Sequence, residues 1–135
     1  MGVKMKNYEL INVLKSLGEL SQYELSIKLG YNISRNMQKI EAELKTFVDM
    51  EKTLVHKYGV KDETDNIKLD DNGQPMIYPT NRSEFRKGQT ELLNLETEVE
   101  LLKINLSEFG DKHIKSSLLF SLDTIIVNDI AQEGK

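Results

Sequence analysis

ISRNMQKIEAELKTFVDMEKTLVHKY, residues 33–58, is the stretch on which the fold turns. Within it Ile33, Met37, Ile40, Leu44, Phe47, Met50, Leu54 and Tyr58 recur at spacings of three and four. That spacing draws a single apolar stripe along a helix, and neither Gly nor Pro interrupts it. At ~1.5 Å per residue the helix is roughly 39 Å long, more than the ~30 Å diameter of a small domain. Val48 and Val55 add apolar surface beside the stripe. Exposed apolar surface of that kind marks interfaces, and the expected answer is a homo-oligomer, a dimer being the commonest form.

Working towards the N-terminus, Gly30 marks a kink or break ahead of this helix, and Ser21 with Glu24 forms a capping-box pair for the residues between. Leu10, Val13, Leu14 and Leu17 predict an earlier amphipathic helix that ends near Gly18. Val3–Asn7 reads as a short strand. Towards the C-terminus, Gly59 ends the long helix, with His56 and Lys57 suiting its last turn. Residues 59–80 are rich in Asp, Asn, Gly and Pro. Ile67 and Leu69 flank Asp71-Asn72-Gly73 on one side and Met76-Ile77-Tyr78 on the other, predicting a hairpin or a loop. Asn81 and Glu84 open a helix carrying Phe85, Leu92, Leu93 and Leu95, with Gly88 an unfavourable residue at its middle. Thr97–Leu106 predicts a strand whose alternation slips phase, implying a bulge or burial on both faces. A last helix runs over Leu118, Leu119, Leu122, Ile125 and Ile126, with a frayed tail from Asn128. No internal repeats and no low-complexity tract are expected.

The predicted fold class is α+β: a long central helix with two or three shorter helices packed on a small, mostly antiparallel sheet. Thr97–Leu106, the 67–78 hairpin and the N-terminal strand are its expected strands, and Leu44 and Phe47 are expected where the helix meets it. Residues 1–135 are expected to form one domain: 1–58 helical with the N-terminal strand, 59–80 hairpin or loop, and 81–127 helix-strand-helix.

The chain has no Cys, so disulfides, thiolate metal sites and thiol catalysis are excluded, and a reducing compartment is expected. The basic start at Lys4 and Lys6 leads into no apolar signal region, and no run reaches ~18 apolar residues. Net charge is −4 but unevenly spread. Residues 1–61 hold 10 basic and 7 acidic side chains, whereas residues 62–135 hold 8 and 15. Such asymmetry marks either a solvated surface or a binding face.

The order of several blocks resembles a family of short uncharacterised proteins encoded by tailed phages and prophages of Gram-positive bacteria. Those blocks are Ile27-Lys28-Leu29-Gly30-Tyr31-Asn32-Ile33-Ser34-Arg35-Asn36, a Glu/Lys-rich helix ending at Lys57-Tyr58-Gly59, and Lys61-Asp62-Glu63-Thr64-Asp65. Glu84-Phe85 through Leu92-Leu93, the acidic Glu96–Leu106 segment and the Leu118–Ile126 helix complete the pattern, from about Asn7 to Ile126. Family members often carry Pro at or beside the position of Ser26, where this chain has none. The resemblance implies phage origin and the host cytoplasm, and it transfers no site residue.

Tyr31, Arg35 and Lys39 are spaced by four and share a helix face, with Asn36 and Gln38 beside them. The bland alternative is a solvated face on which the cations pair with nearby Glu. A cationic stripe with an aromatic and an amide can instead hold an acidic protein surface or a small anionic ligand such as a nucleotide, helped by the helix N-terminus. Tyr31, Arg35, Asn36 and Lys39 are therefore the candidate binding residues. Asn36 is uneasy mid-helix and must face solvent, cap another element or read a ligand.

A rival reading takes Leu20–Gly30 as the start of a helix-turn-helix, with Ser34–Leu44 as a recognition helix offering Ser34, Arg35, Asn36, Gln38 and Lys39. The helix runs on past three turns, its later turns carry Glu41, Glu43, Asp49 and Glu51, and the chain is acidic. Nucleic acid is accordingly not the expected partner. His56 and His113 have no ligand-spaced companions, and Asp70-Asp71-Asn72-Gly73 fails the calcium-loop pattern. Glu96, Glu98 and Glu100 are read as the wet face of a sheet rather than as acid–base groups. No phosphate loop, nucleophile elbow or Ser/His/Asp set is present. The expectation is a non-enzymatic, cofactor-free protein that sequesters or blocks a host antiviral-defence protein or small nucleotide. A phage morphogenesis protein and a DNA-binding regulator are the alternatives.

Overall fold

Residues 2–110 and 112–127 are described by a computed structural model. The expected tail from Asn128 lies outside them. The elements are β1 (Val3–Lys6), α1 (Asn7–Leu20), α2 (Ile27–Tyr58), α3 (Arg82–Asn94), β2 (Glu96–Val99), β3 (Ile104–Asn105), α4 (Ser116–Ser121) and β4 (Ile126–Val127). Short 3-10 turns at Pro79–Asn81 and Leu106–Phe109 precede α3 and follow β3. The class is α+β, with one long helix, three shorter ones and two small sheets among the described residues. The chain divides into two compact units, residues 1–43 with 96–135 and residues 44–95.

The first unit is built on apolar faces at helical spacing. Leu10, Val13, Leu17 and Leu20 are the buried face of α1. Its first turn is held by the Glu9 carboxylate, which accepts the Lys6 N–H at 3.0 Å. α1 does not stop at Gly18 but runs to Leu20, where Ser21 closes it by donating its hydroxyl to the Gly18 carbonyl. Burying Leu20 stabilises the helix by ~1.5–3 kcal/mol, more than the ~1 kcal/mol that Gly costs there. Gly30 is overridden in the same way, because Leu29 and Ile33 on either side of it are buried. α2 is therefore continuous from Ile27, and its cap is not Ser21 but Ser26, whose hydroxyl accepts the Leu29 N–H at 3.2 Å.

The strand expected over Thr97–Leu106 is cut in two where its alternation slips. β2 pairs antiparallel with β1, Val3 opposite Val99 and Met5 opposite Thr97, while residues 100–103 belong to no strand. β3 then pairs parallel with β4, Ile104 opposite Ile126. The last helix is correspondingly shorter than its apolar pattern predicts. It ends at Ser121, residues 122–125 form a turn, β-branched Ile126 and Val127 are strand, and Leu122 and Ile125 stay buried.

The second unit contains the later part of α2, the segment 59–80, and α3. Leu44 and Phe47, both of this unit, are buried. Gly88 has a packing reason: a Cβ there would lie 2.8 Å from Leu54 Cδ1, so its absence lets α3 come close to α2. Asn81 precedes α3 without a side-chain cap.

Residues 59–77 join neither sheet; they form a small closed meander. Gly59 pairs with Ile77, Lys61 with Ile67 and Leu69 with Pro75, so each of three short segments pairs with both others. An eight-residue repeat, hidden in the sequence, builds it. Asp62 and Asp70 each open a turn, and their Oδ1 atoms accept the backbone N–H groups two and four residues on, at 2.8–3.1 Å. Their own N–H groups donate to Asn66 and Gln74 at 2.8 Å. The fourth residue of each turn has positive φ: Gly73 at 77°, where Gly costs nothing, and Asp65 at 65°, a conformation Asp tolerates.

Candidate functional site

The candidate residues all lie on the part of α2 that belongs to the first unit. Asn36 is fully buried. It occupies the place in the helix's buried face between Ile33 and Ile40, not a place beside it. Its amide nitrogen donates to the Leu102 carbonyl at 3.0 Å, and its Oδ1 accepts the Leu102 N–H at 2.7 Å. This amide supplies the two bonds that a neighbouring strand would have made, just where β2 has ended and β3 has not begun. Lys39 acts on the same segment, donating its ammonium to the Glu100 carbonyl at 3.0 Å. Of the three roles open to Asn36 it takes that of capping another element, not that of an exposed binding residue, and Lys39 takes a backbone carbonyl rather than a helix carboxylate.

Tyr31 and Arg35 are left to solvent. Arg35 Nη1 donates to the Tyr31 hydroxyl at 3.2 Å, and its guanidinium carbon lies 5.8 Å from the ring centroid. Tyr31 is 60% exposed. Neither residue has a carboxylate partner among the described residues. One turn back, Ile27 is 93% exposed. Ile27, Tyr31 and Arg35 stand four apart, so an aliphatic, an aromatic and a guanidinium follow one another along one open helix face. Spacing alone was the available signal.

The electrostatic setting differs from expectation because α2 begins six residues earlier than Ile33. Tyr31 and Arg35 lie in its second and third turns, and a helix's terminal charge is felt within the first. The first turn instead holds Lys28, 3.9 Å from Glu108. The four candidates therefore separate into two pairs: Asn36 and Lys39 bind the chain itself, Tyr31 and Arg35 face outward.

The remaining motifs settle into ordinary roles. Glu96 and Glu98 stand opposite Lys6 and Lys4 in the β1–β2 register, alternating charge across the wet side of that ladder. Both histidines are exposed, and no group of three His, Asp or Glu suited to a metal ion occurs among the described residues. The Asp70 turn is held by its own backbone bonds. The helix-turn-helix reading loses Asn36 and Lys39, two of its five base-reading candidates, to residues 100–102. No helix among the described residues is long and apolar enough to cross a membrane. Comparison with protein-family models, with curated proteins and with solved structures finds no match to the chain.

Proposed function

We propose that the chain is a phage-encoded accessory protein of the host cytoplasm that acts by non-enzymatic binding, presenting Ile27, Tyr31 and Arg35 to an acidic surface of a host protein. An antiviral-defence component, blocked or sequestered, is the class of target we favour. The phage assignment rests on the order of sequence blocks described above. The binding mode rests on one observation: an Ile, a Tyr and an Arg, all exposed, in register along one helix face. Tyr and Arg dominate the energetics of protein interfaces, and an Arg without a carboxylate of its own favours an acidic partner. An open helix face suits a protein surface better than a small molecule, which needs a concave site. No described feature favours a virion role.

The test is affinity capture from infected host lysate with wild type and with Ile27→Ala/Tyr31→Ala/Arg35→Ala, both checked for folding. The expected result is a host protein retained by wild type, released by salt, and reduced at least tenfold with the variant. Equal capture by both sinks this reading. Self-association belongs to the same proposal, supported by exposed Val48 and Met50 on α2. Light scattering at micromolar concentration is expected to return the dimer mass, and a strictly monomeric mass removes that part.

A further inference from the structure

The second unit holds a concave site of a different kind. One face of α3 carries Arg82, Phe85, Arg86 and Gln89, spaced by three and four. Together with Asp70 and Met76 of the meander these side chains line a cavity of about 380 Å³. That volume falls within the ~300–1,000 Å³ typical of small-molecule sites. Every lining residue belongs to the second unit, so the cavity is complete within it.

Its chemistry is divided. Arg82 and Arg86 stand one turn apart, and among the described residues neither guanidinium has a hydrogen-bond or ion-pair partner. Two such forks one turn apart on the same helix can together serve a phosphate, which accepts N–H bonds from each. The half-buried Phe85 and the Met76 side chain provide an apolar wall against which a flat ring can lie. Gln89 carries both donor and acceptor, and Asp70 is an acceptor whose position is fixed by two backbone bonds to its Oδ1. A carboxylate would repel a bare anion but suits a ligand that carries hydroxyl or amine donors as well as its phosphate.

We propose that this cavity binds a nucleoside phosphate, with Arg82 and Arg86 on the phosphate, Phe85 and Met76 against the base, and Asp70 and Gln89 on the ligand's polar edges. The site is independent of the face at Ile27, Tyr31 and Arg35.

The test is calorimetric titration of the full chain with AMP, GMP, CMP and UMP, with adenosine and inorganic phosphate as partial ligands. At least one monophosphate is expected to bind with Kd below about 1 mM, with both partial ligands at least tenfold weaker than the nucleotide. Raising salt weakens the contact, since the phosphate pairing is accessible to screening. Arg82→Ala/Arg86→Ala, verified as folded by circular dichroism, loses at least tenfold in affinity. Arg35→Ala retains wild-type affinity. Amide shifts on titration are expected at Phe85, Arg86 and Gln89. Failure of all four nucleotides to bind at about 1 mM overturns the proposal. So does unchanged affinity in the folded double variant, or adenosine binding as tightly as AMP. None of these results bears on capture through Tyr31 and Arg35.

Discussion

Residues 100–103 of the first unit and residues 59–77 of the second both leave regular structure, and they satisfy their backbone by opposite means. In the first, bonds reach across 61 and 66 positions of chain: Lys39 and Asn36, standing on a helix, take the polar groups of Glu100 and Leu102. In the second, carboxylates within the segment take N–H groups no more than four residues away. The difference follows burial. The first unit contains most of the buried apolar residues, and the part-buried backbone of Leu102 is paired by the fully buried Asn36 amide, while Lys39 adds an exposed bond to Glu100. The meander is mostly exposed, so water competes everywhere and short-range Asp turns suffice. One segment is held by its surroundings, the other by its own composition.

The largest expected effect tests the first arrangement. Asn36→Leu keeps the branched shape, though with more bulk, and leaves the Leu102 N–H and C=O unpaired, which should cost about 3 kcal/mol at ~1–3 kcal/mol per orphaned group. Denaturant unfolding measures it, and a loss below 1 kcal/mol would mean that water replaces the amide and the segment is not held by its surroundings. Leu44→Ala probes the thinner core of the second unit, where Leu44, Phe47 and Leu92 are the buried apolar side chains among the described residues. A cost of about 2 kcal/mol is expected, the low end for Leu→Ala, since a small core relaxes more readily. An unchanged melting temperature would show that Leu44 faces solvent.

The smallest effect concerns the meander alone. Hydrogen bonds from the Thr64 hydroxyl and then from the Asn66 and Thr64 N–H groups hold the Asp62 carboxyl below its ordinary value of 3.8. A depressed folded-state pKa gives stabilisation that is complete above 3.8 and lost as pH falls through the lower folded value. The Thr64 and Asn66 amide resonances should therefore titrate with a midpoint under 3.8, and a midpoint at or above it would show that the turn is not held by its carboxylate.

The long helix, the hairpin-prone segment and the phase slip near Leu101 were all legible in the sequence. The rest escaped for specific reasons. Gly18 and Gly30 carry a local cost that tertiary burial overrode, so two helix boundaries moved. Asn36 is polar and so lies outside an apolar stripe, although the spacing 33, 36, 40 places it on the buried side. The eight-residue repeat shares a single identity in its turns, Asp62 with Asp70, because Asp65 and Gly73 meet the same φ requirement by different chemistry. Of the candidate binding residues, types and spacing were visible, but which of them the protein spends on itself depends on where residues 100–102 return.

The meander has one further property. The Val60 N–H donates to Met76, the Met76 N–H to Lys68, and the Lys68 N–H to Val60, each at 2.8 Å. Each of these residues also accepts one of the three bonds, so the circuit has no first or last strand. An open ladder always ends in a strand with unpaired groups, which is where a foreign chain adds itself. Here a segment that is mostly exposed and held by single-residue pairings offers no such starting point. Lengthening either Asp turn leaves the circuit untouched, whereas proline at position 60, 68 or 76 would open it and create the sticky edge it now lacks.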